Sequence, residues 1–344
     1  MKVASYLRAR TIAVDDRPAA SPRAGQVQIA VDYVGLCGAD LQIYRGELDT
    51  RVGPAAILGH EVSGHVALVG AGVTTVEIGQ RVTVMPLSWC SSCPACSAGH
   101  EHLCHRLSLM GIDSPGGLQS SWNVPADVVV PVPDVIRAEW VALAEPAAIA
   151  VHALRALEHA PIVDGDHVLV VDSGPVALFI ALLARHAGAE VALVERERHR
   201  RVVGRTAGFT MLDPAVDPIA SYVQTWTRAS GADIAFEVSG ESIGVDMAVS
   251  ALAPRGRLVL VGGHDAPREV NLNRVVRREL RVLGASRYER NDFVAAVELL
   301  AAEWMPLELF VSSTELLDRV DDAFAALDAG GVMKIVVDLR PDRS

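Results

Sequence analysis

Four of the five cysteines in this chain fall in one short segment, with the spacing Cys90-x2-Cys93-x2-Cys96-x7-Cys104. The segment has no apolar periodicity, so it needs a cross-link to hold a fixed shape. Thiols clustered in this way, in a chain with an odd number of cysteines, favour a metal ion over disulfides. Four thiolates around one tetrahedral zinc leave no position for a substrate, so the spacing predicts a structural zinc site.

A zinc ribbon of the nucleic-acid-binding kind is the alternative for this segment. Ribbons, however, separate two Cys-x2-Cys pairs by a longer spacer. Three histidines also lie in or beside the segment and could replace a cysteine as ligand: His100, His102 and His105. Because four thiols are already present, we expect these imidazoles to face solvent.

The composition indicates a globular chain with a large core. Of the 344 residues, 50% are hydrophobic and 21% are charged, which suits two domains of ordinary size. The formal net charge of −11 argues against a nucleic-acid partner, because binding of phosphates needs a basic surface. No run of about 18 apolar residues is present, so no membrane partner is expected. Residues 1–14 lack the pattern of a signal peptide, and a cytoplasmic location is expected.

Two patterns divide the chain. Residues 1–90 contain short β-branched runs between Gly and Pro turns, which is typical of an all-β unit. Residues 139–160 have Ala and Leu at helical spacing and predict a helix. From His167 onward strands alternate with helices, and the run Val168 to Val171 is typical of a parallel strand buried on both faces. This pattern predicts a doubly wound domain, and so an α/β fold class.

The turn after Val171 is a candidate dinucleotide site, because a Gly-x-Gly-x-x-Gly motif is expected there. Its residues are Asp172-Ser173-Gly174-Pro175-Val176-Ala177. Only the middle glycine, Gly174, is retained, and it lets the backbone approach a diphosphate. A carboxylate facing the phosphates would be repelled, so we expect Asp172 to point away or to cap the following helix. Glu195 ends the next strand, where an acid binds the ribose hydroxyls and favours NAD over NADP, whereas Arg196 could meet a 2′-phosphate.

Further motifs extend over essentially the whole chain. They are Gly35-Leu36-Cys37-Gly38-Ala39-Asp40, Gly59-His60-Glu61, Gly79-Gln80-Arg81-Val82, Glu145-Pro146, Pro254-Arg255-Gly256, Gly284-Ala285-Ser286-Arg287-Tyr288 and the closing Lys334 strand. With the cysteine segment, they resemble the zinc-dependent medium-chain alcohol dehydrogenases, in their polyol (sorbitol-type) and sugar-acid branch. The resemblance implies an all-β GroES-like catalytic domain over residues 1–149, with its zinc lobe at 90–104, a Rossmann NAD-binding domain over 150–287, and a return to the catalytic domain over 288–344.

The resemblance also implies a catalytic zinc. Cys37 and His60 match two of its ligands, and Glu145 stands where the polyol members carry their glutamate ligand. Three protein ligands leave one zinc position open for the substrate oxygen. Asp40 matches the carboxylate that orients the ligand histidine. For Glu61 the family implies either exchange with Glu145 at the metal or a hydrogen bond to a water there.

Two residues depart from the family pattern in this region. Ala39 replaces a Ser or Thr, and Gln42 replaces a frequent His, and these family residues pass the alcohol proton to solvent. A methyl group cannot relay a proton. Either Glu61 or Glu145 performs this step through a water, or the reaction releases no proton by this route.

The remaining implications concern the cofactor, substrate and assembly. The residues implied to bind NAD are Gly174, Pro175, Val176, Glu195, Arg200, Val261, Gly262 and Ser286. Arg287 is implied near the substrate, where a guanidinium can hold a polyol hydroxyl or a carboxylate. The expected substrate is therefore a polyol, sugar or sugar acid whose secondary alcohol gives a hydride to NAD. Relatives are homodimers or homotetramers, and the strand before Gly263 is expected to be an edge strand that makes the subunit contact.

Two other functions remain open at this point. Ala39 and Gln42 favour an NAD(P)H-dependent reductase of a C=C or C=N bond, because such a reaction does not need the alcohol-proton relay. Asp172 and Ala177 favour a zinc protein of the same fold that no longer binds the cofactor. Titration with NADH distinguishes the last possibility from both enzymes.

Overall fold

The computed structural model describes residues 1–264 and 266–341. The chain forms two compact units. Unit 1 comprises Met1–Glu145 and Glu289–Ser344, and unit 2 comprises Pro146–Tyr288. We describe each unit by itself.

The first part of unit 1 is mainly β-structure. Its strands are β1 (Lys2–Arg8), β2 (Thr11–Asp16), β3 (Gln26–Gly35), β4 (Glu61–Val69), β5 (Arg81–Val84), β6 (Leu87–Ser88), β7 (Ser108–Leu109), β8 (Ser121–Pro125) and β9 (Val129–Pro131). Its helices are α1 (Gly38–Tyr44), α2 (Pro94–Ser97), α3 (Ala138–Val141) and the start of α4 (Ala144–Arg155).

Unit 2 alternates strands and helices. Its strands are β10 (His167–Val171), β11 (Glu190–Val194), β12 (Thr210–Leu212), β13 (Ala232–Glu237), β14 (Leu252–Leu260) and β15 (Arg281–Gly284). Its helices after α4 are α5 (Pro175–His186), α6 (Arg198–Thr206), α7 (Ile219–Trp226), α8 (Ser242–Ala251) and α9 (Leu272–Arg278). The chain then completes unit 1 with α10 (Arg290–Leu300), β16 (Ser313–Leu316), α11 (Val320–Ala329) and β17 (Ile335–Asp338).

The main sheet of unit 1 has seven strands, in the order β16-β17-β3-β4-β5-β9, with β8 also paired to β3. Strand β3 is its centre, and its apolar residues Val27 and Ile29 are fully buried. The end of β3 has a neighbour on each side: Gly35 is in register with Glu61 of β4 and with Val336 of β17. This register brings the C-terminal strand next to the His60–Glu61 motif.

The sheet of unit 2 has six parallel strands in the order β12-β11-β10-β13-β14-β15. Its central strand β10 is buried on both faces, which explains the unbroken apolar run at Val168 to Val171. The strand order reverses between β10 and β13, and ligands of doubly wound sheets bind at the carboxyl ends of the strands beside that point. The expectation that the strand before Gly263 is an edge strand is wrong: β14 lies between β13 and β15.

The helices are short, and α4 and α5 have 12 residues each. The single helix expected over 139–160 is instead two helices, α3 and α4. The chain breaks at a tight turn in which Leu143 N donates to Trp140 O. Pro146 then lies in the first turn of α4, where its missing N–H costs no helical hydrogen bond. Among the described residues, no helix is long and apolar enough to cross a membrane.

Candidate active site

The four cysteines of the 90–104 lobe converge. Their sulfur atoms all lie within 4.8 Å of one another. The Sγ–Sγ distance is 3.5 Å between Cys93 and Cys96, 3.9 Å between Cys93 and Cys104, and 4.0 Å between Cys90 and Cys96. Four sulfurs at about 2.3 Å from a tetrahedral zinc are about 3.8 Å apart, so the cluster has the size of a zinc site.

The polypeptide around the lobe favours the thiolate form of Cys90 and Cys93 but not that of Cys96. The backbone N–H groups of Cys90 and Arg106 each point to Sγ of Cys104 at 3.3 Å. Hydrogen bonds from the backbone and hydroxyl of Ser92 lower the pKa of Cys90 to about 5, whereas burial raises the pKa of Cys96 to about 12. A bound cation would remove that difference, because it favours the anionic form of every ligand.

The histidines near the lobe do not all face solvent. His100 and His105 are exposed, but the expectation is wrong for His102, which is 6% exposed. A short 3-10 turn at Glu101–Leu103 directs this imidazole inward. Nδ1 of His102 lies 3.8 Å from Oε1 of Glu289. The imidazole therefore faces a carboxylate and not solvent.

A second group of metal-ligating atoms comes from three residues of the β3–β4 region. Cys37 precedes α1, His60 precedes β4, and Glu61 begins β4. Their ligand atoms lie within 4.8 Å of one another. His60 is 2% exposed and Glu61 is 1% exposed. A thiolate, an imidazole and a carboxylate are ligands that zinc accepts, so the residues present fit a zinc ion.

Asp40 fixes the two loops that carry these ligands. Its Oδ2 accepts a hydrogen bond from the Cys37 N–H at 3.0 Å, and its Oδ1 accepts one from the Gly59 N–H at 3.4 Å. The same Oδ1 lies 3.6 Å from Nδ1 of His60. Asp40 is fully buried. Its position is that of a carboxylate that orients a ligand histidine and leaves Nε2 for a metal.

The charge on His60 depends on these neighbours. Burial disfavours the imidazolium, but the opposing effects of Asp40 and Cys37 are larger and raise the pKa of His60 well above its ordinary value. The cluster therefore has a strong affinity for a positive charge, which a proton or a metal cation can supply.

Glu61 also has a partner that the sequence did not reveal. Nζ of Lys334 lies 2.7 Å from Oε1 and 2.5 Å from Oε2 of Glu61, and it also donates to the Leu36 carbonyl at 3.2 Å. Lys334 is 3% exposed. A Cβ atom on Gly35 would clash with Oε2 of Glu61 and lie 3.2 Å from its Cβ, so the glycine leaves room for this pair. The signal in the sequence is a single lysine directly before the apolar strand Ile335–Asp338.

Glu145 lies outside the group formed by Cys37, His60 and Glu61. It is in the first turn of α4 and is 7% exposed. Burial opposes the charge of Lys334, but Glu61, Cys37 and Glu145 together raise the pKa of this lysine. Glu145 therefore contributes negative charge to the same region.

The dinucleotide turn of unit 2 joins β10 to α5. Gly174 is the N-cap of α5, with Pro175 at the first helical position and without a side-chain cap hydrogen bond. We expected Asp172 to point away from the turn or to cap this helix, and neither is observed: Gly174 is the N-cap, and Oδ2 of Asp172 lies 3.3 Å from the position of a Cβ atom on Gly174. Asp172 instead has a φ of 105°, and its Oδ1 lies 3.4 Å from Nη1 of Arg200. Ala177 is accommodated with no exposure to solvent.

Glu195 follows β11 and is 4% exposed. Its Oε2 accepts hydrogen bonds from the N–H and hydroxyl of Ser173 at 2.9 and 3.0 Å, and its Oε1 accepts one from the Glu197 N–H at 2.7 Å. Burial, followed by the charge of Asp172, raises the pKa of Glu195. Glu195 thus stabilises the dinucleotide turn through its hydrogen bonds with Ser173, in addition to any contact with a ribose.

The other expected cofactor residues follow the strands of the same sheet. Val261 and Gly262 come after β14, and their N–H groups donate to the Glu237 carbonyl at 2.8 and 3.0 Å. Ser286 and Arg287 come after β15 and are exposed, and Arg287 has a φ of 57°. Because the strands are parallel, these positions share the carboxyl edge of the sheet with the dinucleotide turn.

The chain matches two sequence families. Residues 23–134 match the alcohol dehydrogenase GroES-like domain, and residues 175–302 match the zinc-binding dehydrogenase domain. The two matches include Cys37, His60, the cysteine lobe and the cofactor residues from Pro175 to Arg287.

Individual proteins are similar over nearly the whole chain. The 2-dehydro-3-deoxy-L-galactonate 5-dehydrogenase of Pseudoalteromonas atlantica is 38% identical over 95% of both chains. The L-galactonate-5-dehydrogenase of Escherichia coli K12 is 28% identical over 81% of both. The crystal structure of a zinc-binding dehydrogenase from Sinorhizobium meliloti 1021, bound to NADP, has a TM-score of 0.90 and 26% identity over 98% of this chain and 99% of that one.

Proposed function

This chain belongs to the zinc-dependent medium-chain alcohol dehydrogenase family, and we propose that it oxidises a secondary alcohol of a sugar acid, or of a related polyol or sugar, with NAD as hydride acceptor. The observation that carries the proposal is the convergence of Cys37, His60 and Glu61, whose ligand atoms lie within 4.8 Å of one another. The sugar-acid specificity is supported by the 38% identity to a deoxygalactonate dehydrogenase.

In this proposal Cys37 and His60 hold the catalytic zinc, and Glu145 is the third protein ligand. When bound, zinc supplies a Lewis acid that favours loss of the alcohol proton. Asp40 keeps His60 in the orientation needed for binding. The four cysteines of the 90–104 lobe hold a second, structural zinc. Both metal sites then lie in the proposed catalytic domain, residues 1–149 and 288–344.

The proton of the alcohol needs an acceptor other than Ala39 or Gln42. We assign this role to a carboxylate oxygen of Glu61 or Glu145. Nζ of Lys334 lies within hydrogen-bond distance of both oxygens of Glu61, and each carboxylate oxygen has a further lone pair that can accept a hydrogen bond. Arg287 is proposed to bind a carboxylate or hydroxyl of the substrate, as a guanidinium can do through two parallel hydrogen bonds.

NAD is proposed as the cofactor of the doubly wound domain, residues 150–287. Gly174, Pro175 and Val176 would hold the diphosphate at the start of α5, where the helix dipole and the N–H groups of the first turn, other than that missing at Pro175, favour anions. Glu195 is proposed to repel a 2′-phosphate. Arg200 is proposed to contact the adenine side of the cofactor, and its guanidinium also reaches the turn at Gly174. Val261, Gly262 and Ser286 are proposed to contact the nicotinamide half. Because a protein of similar structure is bound to NADP, the preference for NAD over NADP has to be measured.

A panel of sugar acids, polyols and simple secondary alcohols, assayed with NAD and with NADP, tests the proposal. We expect NADH formation at 340 nm with at least one sugar acid or polyol, and much weaker activity with simple alcohols. No turnover of any hydroxyl substrate, together with tight NADH binding, would overturn it. Light scattering in the same preparation tests whether the protein is a homodimer or homotetramer, as we also propose.

The absence of the usual proton relay supports one competing function. Ala39 and Gln42 suit a reductase of a C=C or C=N bond, which uses NAD(P)H and does not oxidise an alcohol. Consumption of NAD(P)H with such an acceptor, and none of NAD with the hydroxyl panel, would favour this function. Failure to bind NADH at millimolar concentration would instead favour a zinc protein without dehydrogenase activity.

A further inference from the structure

We propose that Asp172 is an internal anion that competes with the diphosphate of the cofactor for Arg200 and for the space over Gly174. The proposal rests on the proposed function of unit 2 as an NAD-binding domain. It assigns to Asp172 a control over cofactor affinity.

The first support is the space beside Gly174. In dinucleotide turns the middle glycine has no side chain so that the backbone can approach the diphosphate closely. A Cβ atom added to Gly174 would lie 3.3 Å from Oδ2 of Asp172 and 3.4 Å from Nη1 of Arg200. A carboxylate and a guanidinium therefore fill the region that the glycine leaves open. A diphosphate in that region must displace at least the carboxylate.

The second support is the backbone of Asp172. Its φ of 105° is a conformation that glycine adopts freely and that other residues rarely adopt. The position is fixed because the Asp172 N–H donates to the Val194 carbonyl at 2.9 Å. Glycine would remove the strain at this position, yet the chain carries a carboxylate there. The backbone conformation therefore gives no reason for the carboxylate.

The third support is the balance of charge. Nη1 of Arg200 lies 3.4 Å from Asp172 and 3.9 Å from Oε2 of Glu195. Glu195 already accepts two hydrogen bonds from Ser173, which leaves Asp172 as the more exchangeable partner of Arg200. The Asp172 side chain is 21% exposed, whereas that of Glu195 is 3% exposed. The carboxylates of Asp172 and Glu195 share the single guanidinium of Arg200, and a diphosphate would bring further negative charge to the same place. The diphosphate can pair with Arg200 only if the Asp172 carboxylate moves away.

A purely structural role for Asp172 makes the opposite prediction. If its carboxylate were a strut that shapes the turn through Arg200, its removal would loosen the turn and weaken cofactor binding. Asn is the informative substitution, because it keeps the size of the side chain and tolerates a positive φ, but has no charge. Gly is the second substitution, because it also removes the backbone strain.

The test is binding of two ligands that require no catalysis. NADH is titrated by its fluorescence, and ADP-ribose by calorimetry, with wild type, Asp172→Asn, Asp172→Gly and the control Asp233→Asn. Asp233 lies at the amino end of β13, on the opposite edge of the sheet, where its carboxylate accepts the His167 N–H. We expect both Asp172 variants to bind both ligands about tenfold more tightly, and the control to bind like wild type.

Thermal unfolding separates charge from strain. Asp172→Gly is expected to unfold at a higher temperature than wild type, and Asp172→Asn at about the same temperature. Unchanged or weaker binding by Asp172→Asn would overturn the proposal while leaving the NAD site intact. If neither wild type nor the variants bind either ligand, both this proposal and the NAD-dependent function are wrong.

Discussion

Lys334 and Glu61 form a buried ion pair, with Nζ of the lysine 2.5 Å from Oε2 of the glutamate. Glu61 begins β4 and Lys334 directly precedes β17, and these two strands pair with the end of β3 on its two sides. Gly35, at the end of β3, leaves room for the two side chains. One member of this pair belongs to the proposed catalytic group. The pair therefore links the C-terminal strand of unit 1 to the metal-ligating residues.

Replacement of Lys334 by Met is expected to destabilise the protein by about 3–5 kcal/mol, because it leaves the Glu61 charge buried without its partner. The double variant Lys334→Met with Glu61→Gln should recover part of that loss. The free energy of unfolding in urea measures both. Lys2→Met is the matched control, since Lys2 pairs with Asp318 at an exposed site and should change stability by less than about 1 kcal/mol. A double variant as unstable as the single one would contradict this explanation.

Replacement of Cys93 by Ser is expected to affect stability more than chemistry. Loss of one thiolate opens the structural site, and binding of structural zinc is strongly coupled to folding. The midpoint of thermal unfolding should fall by at least about 5 °C, and the zinc content should fall by one ion per chain. Molecules that keep the catalytic zinc should retain turnover. An unchanged unfolding midpoint would show that the lobe does not need its metal.

Replacement of Glu145 by Ala tests the proposed third ligand. We expect kcat to fall by at least about a hundredfold and the catalytic zinc to be lost more readily to a chelator. Glu139→Ala is the control, because this residue lies in α3 and pairs with Arg137. If Glu145→Ala keeps its zinc while Glu61→Gln loses it, Glu61 is the carboxylate ligand instead.

Replacement of Glu195 by Ala is expected to relax the preference for NAD. The ratio of kcat/KM for NADP to that for NAD should rise by about tenfold, because the carboxylate no longer repels a 2′-phosphate. Affinity for NAD should fall as well, since Ser173 loses both hydrogen bonds to the carboxylate. Glu190→Ala, at the start of the same strand, is the control. An unchanged ratio would show that Glu195 only supports the turn.

The sequence predicted much of the fold because the relevant signals are local. The apolar run Val168 to Val171 marks a buried parallel strand, and the spacing from Cys90 to Cys104 marks a metal lobe. The pairing of Lys334 with Glu61 could not be predicted in this way, because it depends on the register of β3 with two distant strands. Repulsion between the Asp172 carboxylate and the phosphates suggested that this side chain avoids the turn. The structure instead holds the carboxylate near the turn beside Arg200, which is distant in the sequence.

The break within 139–160 shows a related limit. The spacing of Ala and Leu is helical throughout, yet α3 and α4 are separate. A tight turn at Leu143 and the position of Pro146 decide the boundary, and apolar periodicity carries no information on either. His102 likewise lies beside Glu289, a residue far away in the sequence that its local pattern could not indicate.

Zinc analysis combined with turnover, for wild type, His60→Ala and His65→Ala, tests the assignment of the metal centre most directly. His65 lies on the same strand region, next to Asp32 and outside the metal-ligating group. We expect two zinc ions per chain and full turnover for wild type and His65→Ala, and one zinc ion without turnover for His60→Ala. Retention of two zinc ions and of turnover by His60→Ala would contradict a catalytic zinc at Cys37 and His60.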